Sequence, residues 1–482
     1  MTADAEWDVL VVGGGTAGMT AARAAAAEGA RTLLVERAPE LGGECTWTGC
    51  VPSKTLIEAA RLAWEVRGAG DRGIHAPGLH VDFATLMAHK DDVVAAIARD
   101  ERDDVLENAG VDVLHGALRF TSPTEALVAG RQLRFSRAVI ATGSAPAVPQ
   151  GVGLEDVPHL TNETIFALTA LPRRLVVLGG GPIGLELGQA FARLGSEVTI
   201  LHRGARLLAK EEPEIADLVA RRLAAEGLDI HLGVRETTFL RHEGGVAARL
   251  SGTSGHRTVV ADAVLVATGR TPRIGGLGLE VLGVRTVPAG VAVDPRMRTS
   301  APHVFAAGDV VGGHLFTHVA GYEGRIAGRN AAGRRERADY RVVPWVTYLD
   351  PEVARVGLTE EQARAGRRRV EVVRFPMSRV DRARVRGRAD GVVKLVVAGR
   401  RVLGRLGGGE VVGAHIVGPG AGEMLAEVVL AMQTRAFAGR LAQSIHAYPT
   451  LSMGVQQAAS QLFPIGRALV DAEPPAPPRS SG

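Results

Sequence analysis

The sequence has no long apolar segment and no basic region at its start. No stretch approaches the roughly 18 uninterrupted apolar residues that a membrane-spanning helix needs. The first residues, MTADAEWDVLVVGGG, lack the basic region of a signal peptide, and glycines interrupt their apolar run. We therefore expect a cytoplasmic protein with no membrane partner.

Cysteine is scarce as well. Only two of the 482 residues are cysteines, Cys45 and Cys50. In a cytosolic chain, so few cysteines argue against a structural disulfide framework and favour catalytic redox chemistry. Two sulfur ligands without a neighbouring cluster of Cys or His make a poor metal site, so no metal centre is predicted.

Lysine is the third scarce residue, occurring only at positions 54, 90, 210 and 394, so nearly every cation is an arginine. Clustered cations would indicate a nucleic-acid partner. Here acidic residues lie among the arginines, and the formal net charge is only +4. The densest basic runs, at 367–369 and 379–388, are interpreted as a solvated face, and no nucleic-acid partner is predicted.

Two segments, 7–36 and 173–203, share a plan of strand, glycine turn, helix and strand. The turns read GGGTAG and GGGPIG, and their spaced glycines are Gly13, Gly15, Gly18, Gly179, Gly181 and Gly184. Such glycines permit a tight turn, close approach of backbone to a pyrophosphate, and close packing of helix on strand. We interpret the repeat as a duplicated nucleotide-binding unit.

The residues that end the second strand differ between the two units. Glu36 ends it in the first unit, where a carboxylate binds an adenosine ribose. The second unit has Leu201, His202 and Arg203 there, so the acid that favours NAD is missing. His202 and Arg203, with Arg206 nearby, suit the 2′-phosphate of NADPH. Ordinary surface cations are the alternative, which leaves NADH possible.

Residues 42–54, GGECTWTGCVPSK, form what we call the cysteine segment. If this segment enters a helix, Cys45 and Cys50 lie about one turn apart, close enough for a disulfide after local adjustment. A helix N-terminus and a nearby cation would lower the pKa of a thiol there. Two inert buried cysteines are the alternative, which the surrounding Gly, Pro and Lys disfavour.

With these motifs, residues 7–465 resemble the pyridine nucleotide-disulfide oxidoreductase family, which includes glutathione reductase, dihydrolipoamide dehydrogenase and mercuric reductase. Both glycine turns, the cysteine segment, AVIATGS, AVLVATGR and VFAAGD carry the resemblance. It implies an α/β fold with two Rossmann-like domains, for FAD and NAD(P), and a C-terminal α+β domain that forms a homodimer. The expected ranges are 1–148 with 272–340 for FAD, 149–271 for NAD(P), 341–470 for dimerisation and 471–482 for a disordered tail.

The resemblance also assigns roles by position. It implies that Cys50 lies against the flavin and that Cys45 exchanges with the substrate. Lys54 is expected near the flavin ring, paired with Glu186, while Asp309 holds the ribityl chain. Further residues expected to line the nucleotide sites are Gly43, Thr142, Gly143 and Gly269.

The segment SIHAYPTLSMG, residues 444–454 and here called the tyrosine segment, departs from the family pattern. Thiol-substrate members have a His directly before Pro-Thr and a Glu five residues after it, which act as an acid–base dyad. Tyr448 and Met453 stand at these positions. Because a tyrosine has an ordinary pKa near 10, the general acid is missing or changed. His446, two residues earlier, is either a substitute base or a structural histidine.

The sequence therefore predicts an enzyme that passes electrons from NAD(P)H through FAD and the two cysteines to a small-molecule acceptor. A disulfide, a quinone, a metal ion and dioxygen are the candidate acceptors. IHAYPT, VTYLDPEVARVGLT and MSRVDRA resemble the mercuric-reductase branch, but no cysteine follows Cys50 to deliver mercury. Dihydrolipoamide dehydrogenase is an alternative, and a non-catalytic flavin-binding redox sensor or scaffold is another.

Overall fold

The computed structural model of the chain describes residues 6–252, 255–366, 369–399, 406–464 and 466. Arg367 and Arg368 of the basic run and the predicted tail at 471–482 lie outside these ranges. Contacts divide the chain into two compact units, Met1–Ala205 with Ala224–Asp339 and Arg206–Leu223 with Tyr340–Gly482. The segment 206–223, inside the range expected for the NAD(P) domain, thus groups with the C-terminal residues.

Within the described ranges, the strands in chain order are β1 (Trp7–Val12), β2 (Thr32–Glu36), β3 (Val111–His115), β4 (Leu118–Ser122), β5 (Glu125–Val128), β6 (Arg131–Ile140), β7 (Ser144–Pro146), β8 (Arg174–Leu178), β9 (Glu197–Leu201), β10 (Asp229–His231), β11 (Val234–His242), β12 (Gly245–Gly252), β13 (Gly255–Ala261), β14 (Ala263–Val266), β15 (Arg270–Pro272), β16 (Thr286–Val287), β17 (Gly290–Val291), β18 (Val304–Ala306), β19 (Pro344–Thr347), β20 (Glu352–Gly357), β21 (Val370–Pro376), β22 (Val392–Ala398) and β23 (Glu410–Gly418). The α-helices are α1 (Thr16–Ala27), α2 (Gly43–Trp47), α3 (Cys50–Arg67), α4 (Phe83–Ala98), α5 (Asp103–Glu107), α6 (Pro182–Leu194), α7 (Pro213–Ala225), α8 (Thr317–Ala331), α9 (Glu360–Gly366), α10 (Asp381–Val385), α11 (Ala421–Gln433), α12 (Ala438–Gln443) and α13 (Met453–Ser460).

The largest sheet follows the order β3-β2-β1-β6-β5-β4, with β18 also paired to β6. Strands β1, β2, β3, β6 and β18 pair in parallel, whereas β4, β5 and β6 pair antiparallel. Alternate residues of β1 enter two hydrophobic cores, Leu10 and Val12 in one and Val9 and Val11 in the other. A parallel sheet that is buried on both faces explains the unbroken apolar run of β1.

The second parallel sheet has the order β10-β9-β8-β14. Strand β8, helix α6 and strand β9 repeat the plan of β1, α1 and β2. Pro182 begins α6 and Gly195, with φ 126°, follows its last residue, as is usual at helix starts and ends. Strands β11, β12 and β13 form a separate antiparallel sheet. The predicted α/β class is confirmed.

The C-terminal unit is built on a five-stranded antiparallel sheet of order β19-β20-β23-β22-β21. One hydrophobic core joins Leu395 and Ile416 of this sheet to Val428 of α11 and Val455 of α13. Burial of one sheet face under helices makes this an α+β unit.

Two of the four lysines are buried in the fold. The Lys394 ammonium lies 3.1 Å from Glu212 and 2.6 Å from Glu214, the residues on either side of the start of α7. These ion pairs attach residues 212–214 to β22 within the C-terminal unit. In the other unit, the Lys90 ammonium donates to the Phe166 carbonyl oxygen at 2.9 Å. Each ammonium thus has the partners that a buried charge requires.

The described ranges contain neither of two features that would change the functional interpretation. None of their helices combines the length and the apolar character that crossing a membrane demands. No three His, Cys, Asp or Glu side chains in these ranges are grouped so as to hold a metal ion.

Candidate active site

The cysteine segment folds as two helices rather than one. Cys45 lies inside α2, whereas Cys50 is the first residue of α3. Thr48 and Gly49 between them have non-helical backbone angles, which interrupts the single helix that was considered from the sequence. Both cysteines are free thiols in this structure. The break places Cys50 at the N-terminus of an 18-residue helix, where a thiolate is stabilised.

One hydroxyl group contacts both sulfur atoms. Thr317 Oγ1 lies 3.3 Å from Cys50 Sγ and donates to Cys45 Sγ at 3.4 Å. Thr317 is the first residue of α8, so the close packing of α8 in the first unit brings it to the cysteines. A hydroxyl has one proton to donate, and it can therefore stabilise a thiolate on either sulfur but not on both at once.

The two thiols have opposite acidities. The hydrogen bond that Cys50 accepts from the Cys45 thiol lowers the pKa of Cys50 to about 6, and Thr317 and the Lys54 charge act in the same direction against burial. The hydrogen bond that the Cys45 thiol donates to Cys50, together with burial, raises the pKa of Cys45 well above its ordinary value. At neutral pH the thiolate is therefore on Cys50 and the proton is on Cys45.

A cation lies beside the thiolate helix. The Lys54 ammonium, one turn along α3 from Cys50, forms an ion pair with Glu186 of α6 at 2.8 Å. Glu186 is 6% exposed, so its charge is almost fully removed from water and needs this partner. The structure thus brings together the lysine and the glutamate that the sequence analysis paired.

The two glycine turns share a close contact with the segments that begin Ala-Thr-Gly. A side chain at Gly13, with φ 107°, would come within 2.4 Å of the Ala141 carbonyl oxygen. One at Gly179, with φ 132°, would come within 2.2 Å of the Ala267 carbonyl oxygen. Only glycine fits at both positions, which explains why the turn and the Ala-Thr-Gly sequence recur together.

The first glycine turn also touches the start of the cysteine segment. A β-carbon on Gly43 would lie 2.7 Å from the Cα atom of Gly15. Gly43, with φ 61°, must therefore lack a side chain, whereas a β-carbon on Gly15 would make an ordinary contact at 3.8 Å from the Gly43 Cα atom. The remaining predicted glycines lie at Gly18 inside α1, at Gly181 and Gly184 on either side of the start of α6, at Gly143 after β6, and at Gly269 between β14 and β15.

In both nucleotide units, a backbone N–H of the glycine turn donates a hydrogen bond to a side chain near the end of the second strand, but the acceptor differs. The Gly14 N–H donates to Glu36 Oε2 at 2.5 Å, and the Gly180 N–H donates to His202 Nδ1 at 3.1 Å. Because Nδ1 of His202 is an acceptor, the proton of the neutral ring is on Nε2. An imidazole therefore takes the place of a carboxylate in the second unit.

The arginines after β9 differ in their surroundings. Arg203 is exposed and forms no hydrogen bond or ion pair with any residue in the described ranges. Arg206 pairs with Asp217 at 3.2 Å inside the C-terminal unit. Of the two, Arg203 has the guanidinium that is available to a ligand.

Asp309, Thr142 and their neighbours form a hydrogen-bonded group beside the first glycine turn. Ser144 Oγ donates to Asp309 Oδ2 at 2.6 Å, and Arg270 Nε donates to Ser144 Oγ at 2.7 Å. The Arg270 guanidinium also lies 3.4 Å from Asp309. Thr142 Oγ1 donates to the Arg273 carbonyl oxygen at 2.7 Å. The Asp309 side chain thus has a hydroxyl and a guanidinium as partners.

The tyrosine segment belongs to the C-terminal unit. Tyr448 is 70% exposed, and its hydroxyl donates to Asp381 Oδ2 at 3.1 Å. This hydrogen bond to a carboxylate raises the pKa of Tyr448. The His446 side chain is 8% exposed, with Nε2 2.9 Å from Glu427 Oε2 and Nδ1 3.0 Å from the Ser444 carbonyl oxygen. Met453 begins α13.

Comparison with known proteins gives this geometry a family. The sequence model of the family described as pyridine nucleotide-disulphide oxidoreductase matches residues 7–324. The model of its dimerisation domain matches residues 343–459. The chain belongs to the pyridine nucleotide-disulphide oxidoreductases. The predictions of the family and of an enzyme are therefore confirmed, and the family is one of flavoproteins that bind FAD and use NAD(P).

Relatives in the family include dihydrolipoyl dehydrogenase of Thermus scotoductus, which is 38% identical over 459 residues, or 95% of this chain and 97% of the relative. Mercuric reductase of Staphylococcus aureus is 35% identical over 458 residues, or 95% of this chain and 82% of the relative. Among solved structures, the HOCl-induced flavoprotein disulfide reductase RclA from Escherichia coli matches with TM-score 0.83, 29% identity, and coverage of 94% of this chain and 99% of that one. LpdA from Mycobacterium tuberculosis matches with TM-score 0.84, 29% identity and the same coverages.

The residues of the first glycine turn fit the FAD of this family. Gly15 is the N-cap of α1 and Gly13 and Gly14 precede it, so the turn that leads into the helix carries no side chains. Backbone N–H groups and a helix dipole at such a position attract a pyrophosphate. Glu36, at the end of β2, presents the carboxylate that a ribose requires.

Thr317 contacts both sulfur atoms but was not among the residues predicted from the sequence. It is separated from Cys50 by 267 positions, and neither its type nor its spacing marks it. Its position at the start of a helix, eight residues after Asp309, was the only local indication.

Proposed function

We propose that this enzyme is a homodimeric NADPH oxidoreductase that delivers electron pairs to quinones in preference to disulfides. The replacement of the usual His and Glu by Tyr448 and Met453 is the observation that carries the proposal. The cytoplasm remains the expected compartment.

The two glycine turns support binding of two nucleotides. Glu36, Asp309 and the N-terminus of α1 would hold FAD, and when bound this cofactor supplies two-electron transfer between NADPH and the cysteines. His202 and Arg203 would contact the 2′-phosphate of NADPH. A charge-assisted hydrogen bond from Arg203 to that phosphate contributes about 1.5 to 3 kcal/mol.

Proton transfer distinguishes the two classes of acceptor. When the Cys50 thiolate and the Cys45 thiol form their disulfide, they lose two electrons and one proton. A quinone takes up two electrons and two protons as it becomes a hydroquinone, so the second proton comes from solvent. A disulfide substrate instead requires the Cys45 thiolate to attack a sulfur atom, and the departing thiolate then needs a proton. The raised pKa of Cys45 makes a base necessary for that attack.

Neither candidate base suits this task. The hydrogen bond from Tyr448 to Asp381 raises the pKa of the phenol, so its basic form is scarce at neutral pH. Both ring nitrogens of His446 are engaged, and its side chain is only 8% exposed. This favours a structural role for His446. In the proposed dimer, the partner subunit's Tyr448 would face Cys45.

Dihydrolipoamide dehydrogenase is the second candidate, since a relative with that activity in its name is 38% identical. A metal ion is a further possible acceptor, because one matched structure is a Cu(II) complex of RclA. Steady-state NADPH oxidation with quinones, lipoamide, glutathione disulfide and Cu(II) tests these candidates together. We expect kcat/KM for a benzoquinone to exceed that for either disulfide. Fast lipoamide turnover would contradict the proposal and support the second candidate.

A further inference from the structure

Helix α2, which carries Cys45, is too short to be stable alone. It has five residues, and no side chain caps its N-terminus. Isolated helices below about 12 residues are marginal in water. The position of Cys45 therefore depends on contacts that α2 makes with other parts of the first unit.

Glu44, the residue before Cys45, forms an ion pair and a hydrogen bond that attach α2 to other segments, and Thr46 Oγ1 of the same helix donates to Glu101 Oε2 at 2.6 Å. The Glu44 Oε2 atom pairs with the guanidinium of Arg270, at the start of β15. Its Oε1 atom accepts a hydrogen bond from Asn162 Nδ2 at 2.7 Å, and the same amide donates to the Thr48 carbonyl oxygen at 3.3 Å. One carboxylate and one amide thus hold α2 and the break that follows it.

Arg270 connects this contact to the group around Asp309. Besides Glu44, its guanidinium donates to Ser144 Oγ at 2.7 Å and lies 3.4 Å from Asp309. The Arg270 side chain is 10% exposed, so its charge needs the two carboxylates. Burial of Glu44 raises the pKa of its carboxyl group, and the Arg270 charge opposes this effect. Neutralising Glu44 would leave Arg270 with Asp309 as its remaining anionic partner.

We propose that Glu44 is a positioning residue, which holds Cys45 at the distance from Cys50 that favours their disulfide and couples α2 to the Asp309 group through Arg270. This inference rests on the proposed function only in taking the two cysteines as a redox pair. It adds a residue that neither the glycine turns nor the cysteine pattern identifies.

The test is the reduction potential of the cysteine pair in the full-length, FAD-loaded protein. The protein is equilibrated with buffers of reduced and oxidised dithiothreitol, the free thiols are alkylated, and the mass of the peptide with both cysteines is measured. For Glu44→Gln we expect the equilibrium constant of disulfide formation to fall about tenfold, which raises the potential by about 30 mV. Gln cannot form an ion pair with Arg270, so α2 is held less firmly.

Glu163→Gln is the matched control. Glu163 pairs with Arg273, which also donates to the Ser144 carbonyl oxygen, at 2.8 Å, but this pair does not touch α2. We expect less than about a twofold change in the equilibrium constant, since the loss of a partly exposed ion pair acts elsewhere. Equal potentials for Glu44→Gln and Glu163→Gln would overturn the proposal.

A second variant keeps the proposal testable if Glu44→Gln does not fold, as judged by circular dichroism and flavin content. Asn162→Leu removes the hydrogen bonds to Glu44 of α2 and to the Thr48 carbonyl oxygen after it, and leaves the ion pair of Glu44 with Arg270. We expect an approximately threefold fall in the same equilibrium constant. An unchanged value would refute the proposal that the contacts of α2 position Cys45 for disulfide formation. These titrations need neither NADPH nor an acceptor. Absence of quinone turnover in the unmodified enzyme would therefore refute the proposed function without affecting this result.

Discussion

The cysteine segment and the tyrosine segment both carry groups that can release protons, but their surroundings act in opposite directions. Around Cys50, a neighbouring thiol, Thr317 and Lys54 all stabilise the anion, and the pKa of Cys50 falls to about 6. Around Tyr448, the Asp381 carboxylate accepts a hydrogen bond from the phenol and stabilises its neutral form. One segment is arranged to hold a negative charge at neutral pH and the other to avoid one.

This difference suggests that electron transfer and proton transfer depend on separate parts of the chain. The cysteines, Lys54 and Glu186 keep the arrangement that the family resemblance implies, whereas Tyr448 and Met453 do not. A substrate that needs no proton from the protein would be insensitive to the presence of Tyr448 and Met453 in place of the usual His and Glu. The following predictions test that separation, beginning with the largest expected effect.

Removing the thiolate should affect every acceptor that depends on the cysteine segment. We expect Cys50→Ser to lower NADPH-dependent quinone turnover by more than about a thousandfold. One equivalent of NADPH should give the unmodified protein a long-wavelength band from charge transfer between the Cys50 thiolate and the flavin. Cys45→Ser should retain that band while losing turnover. The same band in Cys50→Ser would show that Cys50 is not the flavin-contacting thiol.

Restoring the usual His and Glu in the tyrosine segment should change the turnover of disulfides but not that of quinones. With Tyr448→His and Met453→Glu together, we expect kcat/KM for lipoamide or glutathione disulfide to rise about tenfold to a hundredfold, part of the roughly 10² to 10⁴ that acid–base catalysis contributes. Quinone turnover in the same variant should stay constant.

His446→Gln provides the control for that pair of substitutions. Because both of its ring nitrogens are engaged in the structure, we expect a loss of stability of about 1 to 3 kcal/mol without a change in the ratio of quinone to disulfide turnover. Fast disulfide turnover that disappears in His446→Gln would instead show that the base has moved by two residues.

The parts of the site that the sequence predicted are those where the structure admits only one residue type, at spacings that recur along the chain. Gly13 and Gly179 must lack side chains because a carbonyl oxygen lies where a β-carbon would be, so the glycines stand in the sequence at fixed spacings. Thr317 contacts Cys50 across 267 positions of the chain, and Glu44 contacts Arg270 across 226 positions. No local pattern records such contacts, since they arise only when helices and strands pack.

The choice of the nucleotide that supplies the electrons should depend on Arg203, and the expected effect is smaller. Neutralising Arg203 with Gln should reduce the preference for NADPH over NADH by roughly tenfold to a hundredfold, the value of a charge-assisted hydrogen bond. Arg206→Gln is the control, because Asp217 already occupies that guanidinium. The measurement is kcat/KM for both nucleotides. Equal use of NADH and NADPH by the unmodified enzyme would contradict the assignment.

The smallest effect is expected at Thr317. Since its hydroxyl stabilises the Cys50 thiolate, Thr317→Val should raise the pKa of Cys50 by about one unit or slightly more. Iodoacetamide alkylates the thiolate, so the rate increases as pH rises through the pKa. We expect half-maximal rate near pH 6 in the unmodified protein and at higher pH in the variant. Thr317→Ser keeps the hydroxyl, and a shift as large as that of Val would exclude the hydrogen bond as its cause.

The architecture was predicted more completely than the grouping of its parts. The strand and helix plan around each glycine turn follows from hydrophobic pattern and turn residues. The association of residues 206–223 with the C-terminal unit does not, because it depends on ion pairs such as those of Lys394 with Glu212 and Glu214. Charge alone did not show which of the many acidic and basic residues would meet.

The scarcity of lysine, combined with the burial of two of these residues, has a practical consequence for chemical labelling. Lys90 and Lys394 are buried, and Lys54 is paired with Glu186, so their amines react slowly with acylating reagents. Lys210 is the exposed lysine. Among the four lysine side chains, an acylating reagent should therefore react fastest at Lys210.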